Sequence, residues 1–176
     1  MSTASGPPLA SPHPVRMASL QLALRILLGA GIVWFLVHRL GHRDPLWAMI
    51  SVVIVSDREL VAAMTAFRAR ALHTLIGSAF GLAFLYIMGP ETWSILFAMA
   101  ASVLVATSLA PTVIAWRITP VTVAIVMMPG VLQGSRVAGT PIAIARTLDV
   151  LLGSVVAVAV SWFFYVSNRA YVHSRA

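Results

Sequence analysis

RALHTLIGSAFG (Arg70–Gly81) opens a run without formal charge from Ala71 to Gly89, and RTLDVLLGSVVA (Arg146–Ala157) opens a second apolar run further along the chain. Over RALHTLIGS and RTLDVLLGS five of nine positions are identical; a composition this biased gives roughly one by chance. In each copy the arginine is followed at i+3 by a titratable group, His73 or Asp149, and at i+7 by a Gly-Ser pair. Positions i, i+3 and i+7 share one helix face. Arg70, His73 and Gly77 therefore form one stripe, and Arg146, Asp149 and Gly153 another. Gly77 and Gly81 make a GxxxG pair, while Gly153, Ala157 and Ser161 make a small-xxx-small series. Such faces let a neighbouring helix approach closely, so each copy is a packing seam with a charge at one end.

The rest of the chain puts these seams in a membrane. Of its 176 residues 60% are hydrophobic and 10% charged, against about 25% charged in soluble domains. Too little polar surface exists to cover a water-facing fold, so the lipid bilayer is the expected partner. Cysteine is absent, which excludes disulfides and thiolate chemistry. All 12 basic residues are arginine and the net charge is +7. They are scattered between apolar segments rather than gathered on a polar face, which argues against nucleic acid. A GC-rich coding bias would also favour arginine over lysine.

Residues 1–16 are Ser- and Pro-rich and are expected to form a disordered cytoplasmic tail, not a cleaved signal peptide. Residues 17–168 are expected to form one membrane domain and 169–176 a short cytoplasmic tail. Six spans are predicted: about 17–37, a short one from Pro45, 71–88, 92–110, about 118–132 with Pro120 and Pro129, and about 147–166. Crossing the hydrocarbon takes roughly 20 residues. Spans two and five are therefore short or broken, a feature tolerated where backbone faces protein or a polar cavity.

HRDPLWAMISVVIV precedes the first copy at about the distance at which WRITPVTVAIVMM precedes the second. The repeating unit is thus three spans, about 17–89 and 92–168. An odd number of spans per unit turns the second unit upside down, which is the inverted-repeat plan of many transporters. The fold class expected is all-α, with six transmembrane helices as two inverted three-helix repeats. With both termini inside, seven arginines fall on cytoplasmic segments and four on outer ones, so both termini are expected in the cytoplasm.

Either repeated arginine could simply snorkel to the headgroups. The repeat nevertheless keeps the arginine while its i+3 neighbour varies, and a charge near the membrane centre costs about 2.5–3.5 kcal/mol. Arg70 and Arg146 are therefore candidate contacts for an anion, together with Arg25, two turns into the first span. Asp57 and Glu59 at the second span's end, His73 and Asp149 are candidates for proton handling or gating. Asp149 has Arg146 at i−3 as its simplest partner. The solvated-turn reading of Asp57–Glu59 and a helix-face role for His73 stay open. His38 and His42 have the i, i+4 spacing of metal ligands, but no third ligand is evident and no metal is expected. The five tryptophans fall mostly near span ends, where interfacial anchoring accounts for them. No motif for catalysis or for a cofactor is present.

The stretch W-A-x-x-x-V-V (Trp47–Val53), followed by R-x-x-x-T-x-x-G-x-x-x-G (Arg70–Gly81), resembles the membrane unit of the fusaric-acid-resistance and aromatic acid exporter family. The resemblance covers about residues 45–165. It implies a bacterial inner-membrane exporter of aromatic or other organic carboxylates, built from six-span units. Plant malate channels are distantly similar, with basic residues along an anion path. Many bacterial members carry two such units and a soluble domain, so a homodimer is expected here, and a periplasmic adaptor protein is a further expected partner. Two alternatives stay open: a non-transporting membrane module of a larger assembly, and a passive anion channel.

Overall fold

The structure, a computed structural model, describes residues 12–39, 44–109 and 114–173. It consists of α1 (Pro12–Arg39), α2 (Leu46–Val55), α3 (Leu60–Met88), α4 (Thr92–Leu109), α5 (Ile118–Gln133) and α6 (Gly139–His173), with a 3₁₀ turn, Ile114–Arg117, leading into α5. The described residues contain no strand. Four stretches are long and apolar enough to cross a membrane: Ser19–Arg39, Leu60–Met88, Thr92–Leu109 and Gly139–Ser167. The other two helices are the expected short ones. α2 has 10 residues and α5 has 16, about 15 and 24 Å at 1.5 Å per residue, short of the roughly 30 Å hydrocarbon core.

Four boundaries differ from expectation. α3 begins at Leu60 rather than Ala71, and α6 at Gly139 rather than Thr147. Charge marks where a chain leaves hydrocarbon, not where a helix stops. Ala and Arg are both strong helix formers, so FRARA continues α3 unbroken. Arg70 and Arg146 consequently sit within their helices rather than at their mouths. α1 starts at Pro12, where a first-turn proline loses no intrahelical bond. It thus takes up the end of the stretch expected as tail, and residues 1–11 lie outside the described ones. At the other end α6 continues to His173, with 174–176 outside.

The burial pattern is that of a membrane protein. Leu27, Ile87, Phe97 and Leu104 are exposed, while Arg25, Arg70, His73, Arg146 and several Ser and Thr are buried. Two separate apolar clusters flank this polar interior. One joins Val33 and Val37 of α1, Ala48, Val52 and Val55 of α2, and Val156, Ala157 and Val160 of α6. The other joins Leu85 of α3, Ile95 and Ala98 of α4, and Val123 and Met127 of α5. Thus α2 packs on α6 and α5 on α3, and α3 and α6 pack against each other between the clusters.

Two glycines permit these contacts. A Cβ at Gly77 would lie 2.6 Å from the Thr119 carbonyl oxygen and 2.7 Å from Thr122 Cβ. A Cβ at Gly153 would overlap the Ala48 carbonyl and lie 2.9 Å from Ser51 Cβ. In each pair a long helix lies backbone-to-backbone against a short one. α5 then ends at Gly134 in the left-handed conformation, φ 59°, with the Ser135 N–H donating to the Gly130 carbonyl at 2.9 Å, the Schellman arrangement.

Candidate functional site

α2 and α5 run along a space that α3 and α6 also border. It is a cavity of about 310 Å³. Arg70 and Arg146 both line it, from α3 and α6, and Arg117 joins them from the 3₁₀ turn. Ile50, Ile54, Val121, Ile125 and Val150 supply apolar walls, and no carboxylate is among the described lining residues. A larger groove of about 340 Å³ between α1 and α6 is lined by aliphatic and Phe side chains alone. It has nothing with which to orient a polar ligand, whereas the first cavity has three guanidinium groups.

Each arginine in it is held differently. Arg70 is 7% exposed, and its Nε donates to Ser51 Oγ at 3.1 Å. The Ser51 hydroxyl in turn donates to the Trp47 carbonyl at 2.9 Å. Arg146 is 8% exposed, and its guanidinium carbon lies 3.0 Å from the centroid of the Trp47 ring, a cation–π contact. Asp149 and Asp44 are within electrostatic reach of Arg146, and so is Arg70. Two like charges sharing a cavity with hydrocarbon walls repel more strongly than in water, and an anion between them relieves that repulsion. The cavity is therefore suited to an anion with an apolar body.

Residues 32–160 match the sequence profile of the fusaric acid resistance protein-like family. The chain belongs to that family. No curated protein and no solved structure matches it. The family match runs from α1 into α6 and includes every residue lining the cavity. With the four long apolar helices it makes this a multi-pass membrane protein with a transport-related role.

Other residues singled out from the sequence of this fusaric acid resistance-like chain fall elsewhere. Arg25 is not at the cavity. Its Nη1 donates to the carbonyls of Asp57 at 2.6 Å and Arg58 at 3.0 Å, and its guanidinium carbon lies over the Phe164 ring, 5.0 Å from the centroid. It thus ties α1 to the α2–α3 turn by bonding two carbonyls of that turn. Asp57 and Glu59 are in that exposed turn, where Asp57 Oδ1 accepts from the Glu59 N–H at 3.1 Å. His73 is wholly buried between α3 and α5, with Nδ1 3.0 Å from Thr119 Oγ1 and Nε2 without a partner. Gly77 lies against Thr119 and Thr122, Gly153 against Ala48 and Ser51, and Gly81 beside Val126 Cγ1, at 3.1 Å from a Cβ placed there. His38 stacks on Trp34, and His42 lies outside the described residues.

The site also contains residues that the sequence had left unremarked or assigned otherwise. Trp47, read as an interfacial anchor, supports Arg146 instead. Ser51 could have been found, being the one polar residue in LWAMISVVIV. Thr74 and Thr122 line the cavity as well. Nothing in their apolar surroundings distinguishes them from threonines bonded to their own helix, as Thr122 also is, through the Ile118 carbonyl.

Proposed function

We propose that this protein exports organic carboxylate anions, aromatic ones foremost. Arg70 and Arg146 hold the carboxylate by charge-assisted, bidentate bonds, and the aliphatic walls accept the apolar body. The observation that carries this reading is the meeting of two buried guanidiniums from different helices in one cavity with no carboxylate among its described lining residues.

An inverted repeat supplies the means of moving the anion. Its support is a correspondence within the cavity wall. A single constant offset along the chain carries Trp47, Ile50 and Ile54 of α2 onto Ile118, Val121 and Ile125 of α5, and all six line the space. A second constant offset carries Arg70 and Thr74 onto Arg146 and Val150, which also line it. The same two offsets relate Gly77 on Thr119 and Thr122 to Gly153 on Ala48 and Ser51. Exchanging α1 with α4, α2 with α5 and α3 with α6 also carries one apolar cluster onto the other. In our reading the two halves rock about this shared site, which opens first to one side and then to the other.

His73 and Asp149 occupy equivalent places beside the arginines and are the groups we assign to proton coupling. The protein acts as a homodimer in the bacterial inner membrane, with both termini cytoplasmic. The test is uptake of labelled benzoate into proteoliposomes containing the purified chain alone. Arg70→Gln and Arg146→Gln should each abolish flux while leaving insertion intact. Wild-type flux in both would reduce them to anchors. Absence of uptake with the unaltered chain would favour a module that needs a partner, and current without a proton gradient would favour a channel.

A further inference from the structure

Both cavity arginines are held by the same short helix. Ser51 Oγ accepts from Arg70 Nε, and Trp47, one turn earlier on α2, lies under Arg146. Ser51 also donates to the Trp47 carbonyl, so one hydrogen-bonded turn supports the two contacts. On α5 the equivalent places are taken by Ile118, which has no aromatic face, and Thr122, whose hydroxyl donates to the Ile118 carbonyl. The two-fold correspondence of the walls thus breaks at the arginines.

We propose that Trp47 and Ser51 are the positioning residues of the anion site, an assignment that rests on the carboxylate reading of the cavity. The chemistry follows from which edges they occupy. With Nε engaged by Ser51, Arg70 offers a carboxylate its Nη1–Nη2 edge, so the anion approaches end-on. The Trp47 ring under the Arg146 guanidinium carbon engages its charge through the π face and takes none of its N–H donors in a hydrogen bond. Long arginine side chains otherwise lose conformational entropy on binding, and Trp47 and Ser51 remove part of that loss before the anion arrives. α2 is then the element whose displacement would move both guanidiniums together.

The test is equilibrium binding of radiolabelled benzoate to the full chain in nanodiscs, with thermal unfolding followed in parallel. Ser51→Ala and Trp47→Leu should each raise Kd about tenfold, more than any accompanying fall in the unfolding midpoint accounts for. Trp47→Phe, which retains a ring, should stay within about threefold of wild type. A lowered midpoint that accounts for the lost binding in both Ser51→Ala and Trp47→Leu would overturn the positioning role in favour of a structural one. If Arg70→Gln loses binding while Ser51→Ala and Trp47→Leu bind as wild type, the positioning role falls and the carboxylate reading stands. If Arg70→Gln and Arg146→Gln bind as well as wild type, or the unaltered chain does not bind benzoate, the carboxylate reading falls and this assignment falls with it.

Discussion

Gly153 of α6 rests against the backbone carbonyl of Ala48 in α2 with no room for a side chain between them. Gly31 on α1, by contrast, has nothing within 4 Å of the place a Cβ would take. The two positions make a controlled pair. Gly153→Ala should destabilise the protein by about 3 kcal/mol, since the obstacle is backbone and cannot rotate aside. Gly31→Ala should be neutral or stabilise α1 by up to about 1 kcal/mol through helix propensity. Thermal unfolding midpoints in detergent would separate them, and equal midpoints would refute the close approach.

Gly77 and Gly81, one turn apart on α3, should respond unequally. At Gly77 a methyl group meets the Thr119 carbonyl and Thr122 Cβ, whereas at Gly81 it meets Val126 Cγ1 at 3.1 Å. On α6, Ala157 follows Gly153 at the spacing at which Gly81 follows Gly77, and its methyl group is accommodated in the cluster with Val52 and Val55. Gly81→Ala is therefore expected to cost less than about 1 kcal/mol and Gly77→Ala about 2–3 kcal/mol. The same unfolding assay checks the order, and a reversal would contradict the register of α3 on α5.

Arg25 should behave as a structural residue. Arg25→Gln removes charge-assisted bonds to the Asp57 and Arg58 carbonyls, a loss of about 1.5–3 kcal/mol. Benzoate affinity should stay within about twofold of wild type, as the side chain is no part of the cavity wall. A large affinity change at unaltered stability would return Arg25 to the anion path.

Thr119 holds His73 through its hydroxyl. Thr119→Val keeps the volume but leaves both imidazole nitrogens buried without a partner, at a cost of about 1–3 kcal/mol. Thr119→Ser keeps the hydroxyl and should recover most of that stability. Unfolding midpoints of the two variants give the comparison, and identical values would show that the bond contributes nothing.

How far the sequence reached can be argued from α2. That LWAMISVVIV is a short apolar helix followed by a charged turn was legible, because length and hydropathy are local properties that a bilayer tests directly. The membrane class, the four long helices and the Arg-x₆-Gly-Ser seams were legible for the same reason. Which residues of α2 face the seam was not. Aligning the two short helices on their prolines, Pro45 with Pro120, would match Ala48 to Val123 and Ser51 to Val126. The contacts instead match Ala48 to Thr119 and Ser51 to Thr122. One helical turn of sliding separates the two registers, and in apolar segments this uniform no matched letter records it.

The sequence by itself determined that this chain is a bundle of membrane helices and that Arg70 and Arg146 open two similar stretches, since composition and spacing are carried along the chain. Only the tertiary structure decided which arginine meets which partner: Arg25 reaches the carbonyls of the turn between α2 and α3, and Arg146 on the last helix reaches the ring of Trp47 on the second. A guanidinium on a long flexible stem can satisfy itself on any carbonyl, hydroxyl or aromatic face within its reach. The packing of α2 against α6, which Gly153 allows, puts Trp47 within the reach of Arg146.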